Sequence, residues 1–144
     1  ASHTYVYVKN KELINTTFNK ILKSFGTFHF ASKEDEINIA TALYGSGPAF
    51  IAFLVNAFLA ASKNISPKSK LNESDVIHLF QNVISINDSS QKLEKFVQSI
   101  ASKKGTTQAG VHFLKSQNLK KIMYTTLHRA YKRAKEISIE KQGS

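Results

Sequence analysis

Residues 41–62, TALYGSGPAFIAFLVNAFLAAS, constrain the fold more than any other stretch. Residues 48–61 carry no charge and one polar side chain, Asn56. At 100° per residue, Phe50, Ile51, Phe53, Leu54, Val55, Phe58 and Leu59 cover roughly 240° of a helix surface, whereas an ordinary surface helix shows a stripe nearer ~100°. The remaining sector holds Ala49, Ala52, Ala57 and Ala60 beside Asn56, small residues that let a neighbouring helix approach. Burying seven such side chains contributes roughly 10–20 kcal/mol gross, before entropy is subtracted. This segment is expected to be enclosed on nearly all sides, and a second subunit supplies that enclosure more readily than a chain of 144 residues alone.

The composition narrows the possible functions. With 42% hydrophobic residues and two prolines the chain is globular rather than disordered. It has no cysteine, which excludes disulfides and thiolate metal sites and fits a reducing cytoplasm. The longest uncharged apolar run is about 14 residues, short of the ~18–20 that span a bilayer, so no membrane is expected. The first residues show no basic segment followed by an apolar one, hence no secretory signal pattern. A net charge of +10 raises nucleic acid as a partner, but only Arg129 and Arg133 are arginines. Readers of base edges and phosphates rely on arginine forks, so a nucleic-acid role is not favoured.

Taken in order, residues 3–8 read as a strand, 11–24 as a helix ended by Gly26, and 27–30 as a second strand. Strand–helix–strand belongs to a parallel sheet, and two strands are too few for a stable one. The missing strands are therefore expected in front of this stretch or on another chain. Beyond residue 31 the pattern is helical. Ser32 and Asp35 resemble a capping box before a helix over 33–44. Residues 45–48, GSGP, are expected to interrupt the helix, with Pro48 in the first turn of the next one, which ends near Asn64. A polar loop at 66–70 precedes a helix capped by Asn72 and running through Ile86. A turn at 87–90 leads to a helix over 91–101, a polar break at 102–107 to one over 107–116, and a last helix covers about 119–140. The last helix places Ile122, Met123, Leu127, Ala130, Tyr131 and Ala134 inward and Lys120, Lys121, Arg129, Lys132 and Lys135 outward. That basic face reads most simply as a solvated surface.

Few motifs carry chemistry. GSGPAF lacks the third glycine of G-x-G-x-x-G and follows a helix instead of a strand, so it is not a dinucleotide site. It reads as a tight junction between helices. The five histidines show no metal-ligand spacing, and no G-x-S-x-G nucleophile motif occurs. Gly105-Thr106-Thr107 opens a helix after a basic break. Such a helix start suits a carboxylate or phosphate, although Thr106 or Thr107 serving as an ordinary N-cap accounts for the same residues.

Taken together, TALYGSGPAF at 41–50, SKKGTTQAG at 102–110 and HFL at 112–114 resemble pyrroline-5-carboxylate reductase. In that family a TALSGSGPAY-like stretch heads a C-terminal helical domain, and SPGGTTxxGL follows in the same order and spacing. The resemblance implies a mainly α fold, a helical dimerisation domain of the type found at the C-terminus of 6-phosphogluconate dehydrogenase, preceded by a short strand–helix–strand remnant of a Rossmann domain. The implied division is 1–31 for the remnant and 32–144 for the dimerisation and substrate-binding domain. The complete enzyme reduces 1-pyrroline-5-carboxylate to proline with NADPH or NADH, and this chain, lacking the fingerprint, is expected to bind neither cofactor alone. The resemblance places the substrate carboxylate at Ser102, Gly105, Thr106 and Thr107 and gives Thr41 a catalytic hydroxyl near the ring nitrogen. The implied partners are a second copy in an interlocked homodimer, with higher assembly open, and a separate nucleotide-binding chain if the enzyme is split. Two departures stand out: Tyr44 replaces the serine before GSGP, and Lys103-Lys104 replaces Pro-Gly. They keep open an alternative, a helical oligomerisation module that has lost catalysis.

Overall fold

A computed structural model describes residues 3–68, 70, 72–86 and 89–142. The elements are β1 (His3–Val6), α1 (Thr16–Ser24), β2 (Thr27–Phe30), α2 (Asp35–Ala40), a π-helical turn (Thr41–Ser46), α3 (Gly47–Ile65), α4 (Glu73–Ile86), α5 (Ser90–Ile100), α6 (Thr106–Ser116) and α7 (Leu119–Gln142). The chain is mainly α, with two short parallel strands, as its periodicity predicts. Two compact units form, residues 1–48 with 124–144, and residues 49–123.

In the first unit β1 and β2 pair in parallel from His3 opposite Thr27 to Val6 opposite Phe30, and the Ala31 N–H extends the ladder to the Val6 carbonyl at 2.8 Å. The predicted helix over 11–24 is shorter than its apolar spacing suggests. A 3-10 turn, Lys11–Leu13, comes first, and Asn15 then caps α1 by accepting from the Phe18 N–H at 2.9 Å. The Asn side chain offers the backbone a local bond that competes with helix continuation, which resets the start. At α2 the Ser32 N–H is satisfied by the Glu36 carboxylate at 2.8 Å, and not by Asp35. Asp35 is engaged elsewhere, accepting from the Tyr131 hydroxyl of α7, 2.9 Å from both carboxylate oxygens. One hydroxyl proton serves one oxygen at a time, so the bond alternates between two equivalent acceptors.

The GSGP stretch corrects two expectations. Helix runs on through it, because residues 41–46 widen into a π turn and Gly47 stays helical at φ −52° and ψ −45°. In a regular α-helix the Pro48 ring collides with the carbonyl four residues back; the wider turn just upstream makes room for it. GSGP is thus a bulge within continuous helix and not a break between two helices. Asp35–Ile65 consequently forms one helical run of 31 residues, long and apolar enough, by length and composition only, to cross a membrane. The 14-residue limit inferred from sequence therefore does not exclude a span.

The Asp35–Tyr131 contact has a pH signature. Hydrogen bonding to Asp35, with desolvation and the carboxylate charge, raises the Tyr131 phenol above its ordinary value. A raised folded value means the contact contributes fully below the unfolded phenol pKa of about 10 and is lost as pH climbs through the folded value. Tyr131→Phe is expected to lower the urea midpoint near neutrality and to flatten the loss of stability above about pH 10. Urea unfolding across the alkaline range measures both.

In the second unit Asn72 and Asp75 form the reciprocal cap predicted for α4: the Asp75 N–H donates to the Asn72 side chain at 2.9 Å, and the Asn72 N–H donates to the Asp75 carboxylate at 3.2 Å. Phe58 of α3 meets Phe80 of α4 edge to face, centroids 5.5 Å apart. Ser89 caps α5. Ser69 of the predicted loop and Asn87 and Asp88 of the predicted turn lie outside the described residues.

Burial is sparse. Among the described residues the buried apolar side chains are Leu22, Ala40, Ala42 and Val76, and no large side chain is fully enclosed. No residue of α3 is buried; Phe53 is 74% exposed and Ile51 63%. Ile122, predicted to face inward on α7, is half exposed. The basic set Lys120, Lys121, Arg129, Lys132 and Lys135 is exposed, and the pairs from Arg133 to Glu136 and Glu140 lie at the surface, where such pairs contribute little.

Candidate substrate and assembly site

The segment before α6 builds a donor cluster. The Gly105 N–H bonds the Ser102 carbonyl at 3.0 Å, closing a four-residue turn whose third residue, Lys104, is left-handed at φ 61°. That position favours glycine, and the lysine adopts it at a cost of about 1–2 kcal/mol. The turn is held from the helix side too, since the Gln108 side chain accepts from the Lys104 N–H at 2.7 Å. Lys104→Gly is therefore expected to raise stability by about 0.5–1 kcal/mol net of the added chain entropy. Lys104→Ala, still an L residue, is expected to change it by less than about 0.5 kcal/mol; urea midpoints compare the two.

Gly105 itself is the N-cap of α6, and no side chain caps the helix. This corrects the reading of Thr106 or Thr107 as the cap: both are already inside the first turn. Ala109 is the first residue whose N–H bonds back, to the Gly105 carbonyl at 3.2 Å. The N–H groups of Thr106, Thr107 and Gln108 have no partner among the described residues, and neither do the two threonine hydroxyls. Three N–H groups and two hydroxyls without a partner among the described residues thus lie in the first turn of an 11-residue helix that follows Lys103 and Lys104 in the chain, a combination suited to a small anion. A Cβ at Gly105 falls 2.3 Å from the Ser102 hydroxyl, which can turn away, and 3.1 Å from the Ser102 carbonyl oxygen, which must give by a few tenths of an ångström.

Thr41 belongs to the other unit and opens the π turn. Its hydroxyl donates to the Ile37 carbonyl at 2.8 Å, so what it offers outward are lone pairs. Three residues on, Tyr44 stacks on Tyr5 of β1 with centroids 5.3 Å apart, and Tyr5 stacks on its cross-strand partner His29 at 5.1 Å. Beside this contact lies a pocket of about 170 Å³ between Tyr5, Glu36, Ile39, Ala40, Leu43 and Tyr44. Sequence spacing did not reveal the stack; its only trace is an aromatic where the resembled motif has serine. His128, in turn, stacks on Tyr124 at 5.5 Å, a structural placement. In the second unit α5, α6 and α7 leave an open apolar groove of about 750 Å³ lined by Val97, Val111, Leu114, Leu119 and Met123, with Lys115 and Lys120.

The comparison with known proteins settles the lineage. Residues 34–137 match the family described as pyrroline-5-carboxylate reductase dimerisation. The chain belongs to the pyrroline-5-carboxylate reductase family. Over 131 residues it is 30% identical to the pyrroline-5-carboxylate reductase of Staphylococcus haemolyticus, covering 90% of this chain and 46% of that protein. Over 121 residues it is 32% identical to the enzyme of the same name from Staphylococcus aureus strain COL, covering 83% and 44%. The chain thus spans less than half the length of these curated relatives. Pyrroline carboxylate reductase from Plasmodium falciparum, solved with NADP bound, shares the fold at a TM-score of 0.77 and 22% identity, covering 92% of this chain and 52% of that one. The reductase from Coxiella burnetii gives 0.70 at 25% identity, covering 93% and 51%. The match identifies the uncovered apolar surface of α3 as part of a dimerisation domain.

Proposed function

We propose that this chain is the dimerising, substrate-binding part of a pyrroline-5-carboxylate reductase and is inactive as a reductase by itself. The observation that carries the reading is the uncapped, unpaired start of α6 at the family's GTT position, in a chain that matches the dimerisation family over residues 34–137. The N–H groups of Thr106 and Thr107, with the Thr107 hydroxyl, hold the substrate carboxylate; Ser102 and Gly105 shape the turn that aims them. Thr41 faces the ring nitrogen. Its proton is engaged by Ile37, so it accepts a hydrogen bond from a protonated ring nitrogen rather than supplying the proton. NADPH or NADH supplies hydride in the complete enzyme, which catalyses the proline-forming step of proline synthesis. These 144 residues hold no G-x-G-x-x-G, so the cofactor is gripped by further sequence or by a separate nucleotide-binding chain.

In this reading residues 1–31 are the closing strand–helix–strand of the nucleotide domain and 32–144 the dimerisation domain. A second copy in an interlocked homodimer, not lipid, covers α3, and the assembly works in the cytoplasm. Calorimetric titration with L-proline tests the site. Binding by the chain that is lost in Thr107→Ala is the expected result, with no NADPH oxidation by the chain alone. Absence of any proline binding favours instead the oligomerisation module without catalysis, the reading to which Tyr44 and Lys103-Lys104 point.

A further inference from the structure

The aromatic column ties two segments of the first unit that are far apart in sequence. Tyr44 occupies the fourth place of the π turn, and its plane lies within 24° of Tyr5; Tyr5 lies within 29° of His29. The three rings therefore run from the helix across both strands. A serine at residue 44 is too short to enter such a column. The Tyr5 phenol is also hydrogen-bonded with Tyr44, which raises it above its ordinary value. A π turn is a rare, locally unfavourable conformation, and besides the buried Ala42 the ring contact ties this one to residues outside the helix. Thr41 sits three residues before Tyr44 in the same turn.

We propose that Tyr44 is a positioning residue: through Tyr5 and His29 it pins the π turn to the strand pair and so fixes the direction of the Thr41 hydroxyl. The proposal rests on the reading of Thr41 as facing substrate. Its test combines amide hydrogen exchange with L-proline titration of the chain carrying Tyr44→Ser, Tyr44→Phe, Tyr5→Leu, or Tyr44→Ser with Tyr5→Leu. Tyr44→Ser is expected to speed exchange at residues 41–46 about three- to tenfold and to weaken proline binding by a similar factor, with α6 unchanged. Tyr44→Phe, which keeps the ring, is expected to stay within about twofold of the parent in both. The double variant is expected to be no worse than either single one, because both remove the same contact; should Tyr44→Ser fail to fold, Tyr5→Leu carries the same comparison. Unchanged exchange at 41–46 when the column is broken overturns the pinning. Faster exchange with unaltered proline affinity overturns the positioning of Thr41. A parent chain that binds no proline instead defeats the substrate-site reading and leaves the pinning to be judged by exchange.

Discussion

Phe53→Asp is expected to destroy the folded assembly. Within one chain Phe53 is 74% exposed, so a monomer tolerates a carboxylate there with little change, and even gains solubility. Between two copies the same carboxylate is stripped of water in an apolar seam, at a cost of several kcal/mol. The two outcomes differ in sign as well as size. Urea unfolding at two protein concentrations separates them: the parent midpoint should rise with concentration, as for any obligate dimer, while the variant should lose both that dependence and a cooperative transition. Phe53→Leu, which keeps an apolar side chain, should cost far less. A variant as stable as the parent contradicts the account of α3.

Gly105→Ala is expected to abolish most of the proline binding while leaving the fold in place. The new Cβ falls 2.3 Å from the Ser102 hydroxyl and 3.1 Å from the Ser102 carbonyl oxygen. The hydroxyl turns away, but the carbonyl is backbone, and it accepts the Gly105 N–H that closes the turn. That carbonyl must give by a few tenths of an ångström, which in the proposed binding mode shifts the Thr106 and Thr107 N–H groups relative to the carboxylate. One hydrogen bond to a charged group is worth about 1.5–3 kcal/mol, so affinity should fall at least about tenfold. The turn is at the surface, and stability should change by about 1 kcal/mol or less. Calorimetry and urea unfolding on the same sample keep the two effects apart. Binding retained at parental strength removes the helix start from the substrate site.

Much of this was legible in the residues, and the exceptions have physical causes. Seven large apolar side chains on α3 announced a surface needing cover, since no polar face was left to turn toward water. Asn72 and Asp75 announced a cap because their spacing leaves few other uses for them. What periodicity missed was the behaviour of backbone around Pro48, where a glycine-proline stretch that ordinarily breaks a helix was absorbed by one wide turn. It also missed competition among neighbours: Asn15 took over the start of α1, and Glu36 replaced Asp35 at Ser32 because Tyr131, distant in sequence, engages Asp35. The site was half visible. GTT marked a helix start, but that the cap is Gly105 and the threonine hydroxyls are unspent depends on where the first bonded N–H falls. The Tyr5–Tyr44–His29 column is a tertiary contact, and no local pattern encodes it.

Whether a second copy of the chain covers α3 is tested most directly by the mass in solution. Sedimentation equilibrium of the parent chain at micromolar concentration should return twice the 16.1 kDa chain mass, or a higher multiple. A single species at 16.1 kDa, cooperatively folded with α3 open to solvent, would contradict the account.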